Sequence, residues 1–222
     1  MNEITAGEHE PESTAQRPRG RDGCRRALGR TLRLGVVDSG SPDRNELEQF
    51  VSAAFQHKHE ATVTSFMPTL LSFRGAAGEL RGVVGLRDAG AERLYLEQYL
   101  QRPVEEAIAA ATGRRVMRSE VVEVGNLAGA NCRTAVRMVA LLPAHLMSGG
   151  HRWIVFTATS AVREILLGFG APLVELAQAD SARIATGSDQ WGRYYETDPR
   201  VYAGFLPDSR QVPGFDTTAH DH

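Results

Sequence analysis

Apolar residues recur along the chain at two spacings, every second residue in some stretches and every third or fourth in others, which predicts alternating strands and helices. Residues 31–37 (TLRLGVV) read as a strand. Leu47, Phe50, Val51, Ala54 and Phe55 then recur at helical spacing, and Asn45 with Glu48 three residues on reads as the cap of that helix. Residues 61–74 and 79–89 read as strands joined by the turn GAAG. The short run LYLEQYL (94–100) fits either state. Residues 103–112 read as a helix with Pro103 at its first position, acids in its first turn and Gly113 just past its end. Residues 115–129 read as a long strand, and 134–148 as a helix kinked at Pro143 and stopped by Gly149 and Gly150. The strand 153–159, the short helix 160–170 opened by Ser160 and a last strand at 171–178 precede a loop-rich end. The order βαβββ(α)βαβαβ predicts an α/β sandwich around a mixed central sheet, in one domain over 31–207.

The ends differ in kind. Residues 1–30 are rich in Glu, Pro, Gly and Arg with few large apolar groups, a composition expected to stay disordered. Arg17, Arg19, Arg21, Arg25, Arg26 and Arg30 lie there, and the run fits either a solvated tail or a docking arm for an acidic partner such as an acyl carrier protein or nucleic acid. Residues 208–222 read as a flexible polar tail in which His220 and His222 are too few to suggest a metal site.

Composition narrows the classes. The apolar and charged fractions, 42% and 23% of 222 residues, are those of an ordinary globular protein, and a net charge of −2 gives no general drive toward nucleic acid. Cys24 and Cys132 stand far apart without ligand-spaced partners, which disfavours a disulfide scaffold or a zinc site and fits a reducing compartment. The apolar runs fall short of the roughly 20 residues that span a bilayer, and the acidic start has no secretory pattern, so a cytoplasmic protein is expected. No GxSxG, GxxxxGK[ST], HExxH or dinucleotide GxGxxG motif is found in its proper context.

One stretch carries candidate chemistry. VVEVGNLAGANCR (121–133) places Glu123 and Asn126 inside an apolar, β-branched strand, where a carboxylate is costly without a partner. Strict alternation puts Val121, Glu123, Gly125 and Leu127 on one face and Val122, Val124, Asn126 and Ala128 on the other, as in a central strand covered on both sides. The strand runs through Gly129, Ala130 and Asn131 into a helix start near Thr134, and such a joint offers free N–H groups and a favourable dipole to an anion. A phosphate head with a long neutral arm suits this geometry; phosphopantetheine, on CoA or on a carrier protein, is such a ligand.

Several strings in order, FMPTLL (66–71), GLRDA (85–89), LYLEQYLQRPVEEAI (94–108), EVGNLA (123–128), WIVFTATSAVREILLGFG (153–170) and WGRYY (191–195) with Tyr202-Ala203-Gly204, resemble the thermostable haemolysin family over roughly residues 45–205. That family in turn resembles the acyl-homoserine-lactone synthases of the GNAT acyltransferase superfamily. The resemblance implies a GNAT-like three-layer sandwich in which the fourth strand splays from the fifth and a thioester arm lies in the gap. EVGNLA would be the fourth strand, WIVFTAT the fifth, and residues Leu127, Gly129, Ala130, Asn131, Cys132, Arg133 and Thr134 the donor-binding turn. The loop reads GANCRT, with Cys132 and Arg133 where that superfamily usually carries glycine; Arg133 would supply a positive charge to a phosphate instead.

The implied activity is N-acyl transfer from acyl-CoA or an acyl carrier protein to a small amine, with no permanently bound cofactor and no metal. Glu123 is then the candidate base, since burial raises a carboxyl pKa toward a useful range; the bland alternative is a Glu paired with Arg87 or Arg118. Asn126 is read as orienting the carbonyl oxygen. Glu97 and Tyr99 are placed near the acceptor, Arg118 against an acceptor carboxylate, Thr157 and Thr159 against the acyl carbonyl or pantetheine amides, and Trp191, Tyr194 and Tyr195 in an aromatic cluster that walls an acyl tunnel, supplies a phenol as general acid or packs the C-terminal segment. A thiolate mechanism at Cys132 lacks a histidine nearby in sequence, and His57 and His59 read as a polar helix end. The competing reading is a membrane-active or lipid-binding protein without catalysis.

Overall fold

The computed structural model describes residues 32–168, 172–184 and 188–206. The tails expected at 1–30 and 208–222, and the last residues of the 160–170 segment, lie outside the described residues. Among the described residues, seven strands form one sheet: β1 (Arg33–Val37), β2 (Thr69–Arg74), β3 (Leu80–Asp88), β4 (Val121–Gly129), β5 (Trp153–Ala158), β6 (Leu173–Gln178) and β7 (Arg200–Phe205). The helices are α1 (Arg44–His59), α2 (Val104–Thr112), α3 (Cys132–Ser148) and α4 (Ser160–Gly168). Strand order is β1-β2-β3-β4-β5-β7-β6, antiparallel except for the parallel pair β4–β5. That pair is joined through α3, as a parallel connection requires.

Apolar residues of both sheet faces make this a three-layer sandwich. On one face, Leu47 and Val51 of α1 pack on Leu70, Val83 and Ala128, while Val104 and Ile108 of α2 pack on Val121, Val155 and Val201. On the other, Met138, Leu142 and Leu146 of α3 cover Leu71, Val84 and Val122, and Leu166 of α4 meets Phe156 and Tyr202.

Departures from the sequence expectations have local causes. Only residues 69–74 of the 61–74 stretch pair as a strand, because Pro68 lacks an N–H and the carbonyls of Met67 and Pro68 are taken by Arg44, at 2.6 and 2.9 Å. The first helix begins at Arg44 rather than at an Asn45 cap; Asp43 occupies the cap position without a side-chain bond, and Arg44 pairs with Glu48 at 2.7 Å. LYLEQYL forms a 3₁₀ turn at Tyr95–Tyr99. The 115–129 strand starts only at Val121, after a 3₁₀ turn at Arg118–Glu120. α3 begins at Cys132, since Asn131 caps it by accepting the Thr134 N–H at 2.9 Å. β7, absent from the sequence expectation, inserts between β5 and β6.

The main departure lies within β4. Gly125 pairs with Gly85 and Ala128 with Val83, so three steps on β4 match two on β3. Asn126 sits at the extra residue with φ +46°. A bulge of this kind reverses the alternation beyond it. Ala128 therefore joins Leu47 and Val51 on the α1 face and Leu127 joins the α3 face, opposite to the strict pattern.

Candidate active site

The parallel ladder between β4 and β5 runs from Val121–Trp153 to Val124–Phe156 and stops. Both strands continue, β4 to Gly129 and β5 to Ala158, so they part beside Gly125. The bulge at Asn126 stands at the point where the two strands part, while β4 stays paired with β3 on both sides of it. Asn126 holds the bulge in place: its Oδ1 accepts the Met67 N–H at 2.9 Å. Gly125 and Gly85 leave room for Met67 beneath; a Cβ on Gly125 would lie 2.4 Å from Met67 Cε.

The gap opens into a cleft of about 1680 Å³ lined from both sides of the sheet. On the α1 side its walls include Phe55, His59, Tyr95, Tyr99, Glu123 and Thr157 together with Trp191, Tyr194 and Tyr195. On the α3 side they are mostly apolar, among them Val136, Val139, Leu142, Phe156 and Leu166. The two limbs differ in chemistry, one aromatic and polar, the other aliphatic.

Glu123 is 3% exposed. Its Oε2 accepts the Tyr95 N–H at 2.7 Å and its Oε1 the Leu96 N–H at 3.0 Å, the first two N–H groups of the 3₁₀ turn. Burial pushes its pKa up to about 7, against the opposing pull of those N–H groups and of Arg87. Among the described residues it has no ion pair, and Arg118 is engaged elsewhere, with Glu97 and with Glu105 at 2.9 Å. A carboxyl poised near neutrality is suited to accept a proton.

The other expected residues sort by position. Asn126, Thr157, Thr159, Trp191, Tyr99 and Tyr195 line the cleft, as do Leu127, Gly129, Ala130, Asn131 and Cys132 of the β4–α3 turn. Thr159 is buried with its Oγ1 unpartnered among the described residues. The Tyr99 and Tyr195 hydroxyls lie 2.6 Å apart; burial pushes both phenols up, Tyr195 to about 12. Glu97 and Arg118 lie outside the cleft, at a shallow surface depression with Arg102 and Pro103. Glu97 accepts the N–H groups of Leu94 (2.9 Å) and Val104 (3.0 Å). Burial alone would raise its pKa, but the Arg118 hydrogen bonds and those two N–H groups outweigh it and hold the carboxyl below its ordinary value. Arg133 is exposed and does not line the cleft. Within the turn, the N–H of Thr134 is taken by Asn131, and that of Ala130 by the Arg81 carbonyl at 2.9 Å. The open donors of the first helical turn are then those of Cys132 and Arg133.

Sequence reasoning missed Tyr95 and read His59 only as a polar helix end, while Tyr194 lines the cleft with Trp191 and Tyr195 of the expected aromatic cluster. His59 is 7% exposed, stacks edge-on against Tyr194 at 5.3 Å between centroids, and has its pKa lowered by burial and by Lys58. Its signal was the i, i+4, i+8 run Val51, Phe55, His59, which continues the apolar face of α1. Tyr95 and Tyr194 stack on Trp191 at 6.0 and 5.3 Å. Gly192 (φ +50°) brings this segment against α1, where a Cβ would lie 2.4 Å from the His59 carbonyl oxygen.

A mixed sheet whose central parallel strands part over a helix N-terminus defines the class: this is a GNAT-like fold. Solved structures agree. The acyl-homoserine-lactone synthase LasI superposes with a TM-score of 0.53 at 10% identity, over 81% of this chain and 92% of its own. FeeM, an N-acyl amino acid synthase from uncultured soil microbes, gives 0.52 at 11% identity over 80% and 93%. The C-terminal condensation domain of Ebony, solved with beta-alanyl-dopamine, gives 0.51 at 13% over 79% and 100%. Residues 37–210 match the thermostable hemolysin family, and the chain belongs to it. No curated protein matches its sequence. Among the described residues, no helix is long and apolar enough to cross a membrane, and no group of three or more His, Cys, Asp or Glu side chains is placed to hold a metal.

Proposed function

We propose that the protein is an N-acyltransferase that passes an acyl group from a thioester of phosphopantetheine, on CoA or a carrier protein, to a small amine. The observation that carries this reading is the parting of β4 and β5 immediately beside a buried carboxyl with a pKa near 7. The pantetheine arm enters between the strands, with its phosphate at the Cys132 and Arg133 N–H groups and its thioester carbonyl at the unpaired β4 backbone by Gly125 and Asn126. The acyl chain extends into the aliphatic limb between α3 and α4, and the amine enters from the aromatic side.

The amine nitrogen attacks the thioester carbon, forming the C–N bond. Glu123 takes the proton released from nitrogen, directly or through a water. The tetrahedral intermediate collapses with cleavage of the C–S bond, and the thiolate leaves and is protonated. Asn126 offers its amide NH₂ group to the carbonyl oxygen, its Oδ1 being occupied. Thr157 and Thr159 line the path of the arm, and Trp191 and Tyr195 wall the acceptor side. The scarcity of cysteine fits action in the cytoplasm.

Mass spectrometry of products from a panel of acyl-CoA and acyl-carrier thioesters with a pool of amines tests the reading. An N-acyl product made by the wild type and lost in Glu123→Gln is expected; thioesters left intact with every amine would refute it.

A further inference from the structure

Arg87 of β3 is the register partner of Glu123 of β4, so the two side chains share a sheet face. Arg87 lines the cleft, with its side chain 18% exposed. Among the described residues its polar contacts all run through Nη1 on the outer side: 3.5 Å to the Arg93 carbonyl oxygen and 3.9 Å to the half-exposed Glu92. Nε is buried and meets no acceptor among the described residues. Glu123 gives it no hydrogen bond: its two oxygens accept the N–H groups of Tyr95 and Leu96, and Arg87 acts on it only through charge.

A guanidinium stays charged at any working pH, and a buried N–H without an acceptor is costly. The Nε–Nη2 edge offers two parallel N–H groups at the spacing of a carboxylate's two oxygens. The cleft thus holds, directly beside the group that receives the acceptor's proton, a cation whose one ion pair is the 3.9 Å contact with Glu92 and whose buried Nε has no acceptor among the described residues.

We propose that Arg87 anchors a carboxylate of the acceptor, which makes the acceptor an α-amino acid rather than a simple amine. The inference rests on the acyl-transfer reading of Glu123. In an α-amino acid a single carbon separates the amine from the carboxylate. With the carboxylate on Arg87, the amine falls beside Glu123 on the adjoining strand. An amide or a decarboxylated amine leaves the buried Nε without its acceptor and is rejected for that reason.

The test is binding, read without chemistry. The full-length protein is titrated calorimetrically with the standard amino acids and their carboxamides, with and without CoA. At least one amino acid is expected to bind about 10- to 100-fold tighter than its amide. Arg87→Met is expected to abolish that preference, and Arg87→Lys to retain part of it. Equal binding of acid and amide, no binding of any amino acid, or a preference that survives in a folded Arg87→Met would each overturn the proposal. The wild-type comparison of acid with amide does not depend on how the variants fold. If simple amines are acylated as well as amino acids, the Arg87 inference falls while acyl transfer stands. If an amino acid binds through Arg87 but no thioester reacts, acyl transfer falls while the anchor stands.

Discussion

Arg118 is forked onto Glu97, Nη1 to Oε1 at 2.6 Å and Nη2 to Oε2 at 2.9 Å. Glu97 also holds the N–H groups of Leu94 and Val104, so one carboxylate ties the 3₁₀ turn, the start of α2 and the segment before β4. The same turn supplies the N–H groups that hold Glu123. Replacing Glu97 by Ala strands two N–H donors and half of an ion pair, a loss on the order of 2–4 kcal/mol in urea unfolding. Because the folded pKa of Glu97 is depressed, its contribution is complete above the unfolded value and is lost as pH falls through the folded one. The difference in stability between wild type and Glu97→Ala should therefore shrink in acid, below the ordinary glutamate range.

Glu123 behaves in the opposite sense. Its folded pKa of about 7 lies above the ordinary 4.5, so between these values the native state holds a proton that the unfolded chain has lost. Stability from this group falls as pH rises through that window, by about 3 kcal/mol in total. Activity should rise along a limb centred near pH 7 as the carboxyl ionises. Both trends should vanish in Glu123→Gln; a retained stability slope over pH 4.5–7 would assign the titration to another group.

The bulge where the cleft opens depends on small residues. Gly125→Ala would place a Cβ 2.4 Å from Met67 Cε. That methyl is the free end of a flexible side chain, so Met67 yields by leaving its rotamer, at a cost on the order of 0.5–1.5 kcal/mol. Met67→Ala in the same chain should recover part of it, and a double-mutant cycle measures the coupling. Strictly additive effects would mean that Met67 is not what requires glycine at 125.

Gly192 is the seam of the aromatic wall. Its φ is +50°, and a Cβ there would stand 2.4 and 2.6 Å from the His59 and Glu60 carbonyl oxygens, which leaves no place for a side chain. Gly192→Ala should lift the 188–197 segment from α1, visible as faster proteolysis there and a changed tryptophan emission from Trp191. An unchanged digestion pattern would count against that docking.

The aliphatic limb between α3 and α4 is lined by Val139, which packs beside Phe156. Val139→Trp should shift acyl-chain preference to shorter thioesters without weakening CoA binding, as read from competition among donors of graded length.

How much of this was legible follows from the range of each interaction. The parting of the central strands was legible only through the family resemblance, which implies a fourth strand splayed from the fifth; the residues themselves pointed no further than an anion cradle where the strand runs through 129–131 into a helix. The burial of Glu123 was readable because β-branched neighbours flank it. The Glu97–Arg118 pair was not, since the partners are 21 residues apart and both looked like exposed charges that could bind a ligand. The reversal of faces at Leu127 and Ala128 was hidden because a bulge leaves the apolar pattern intact while changing its phase. β7 escaped because six residues after a run of 3₁₀ turns carry too little periodicity to stand out, although neighbours on both sides bury them.

The position of β7 also orders events on the ribosome. β6 is made earlier, yet it has no partner until Arg200–Phe205 emerges and slides in between it and β5. Until then β6 is unpaired on both edges and β5 is open on the edge away from β4. Completion of the sheet waits on nearly the last part of the domain to be translated.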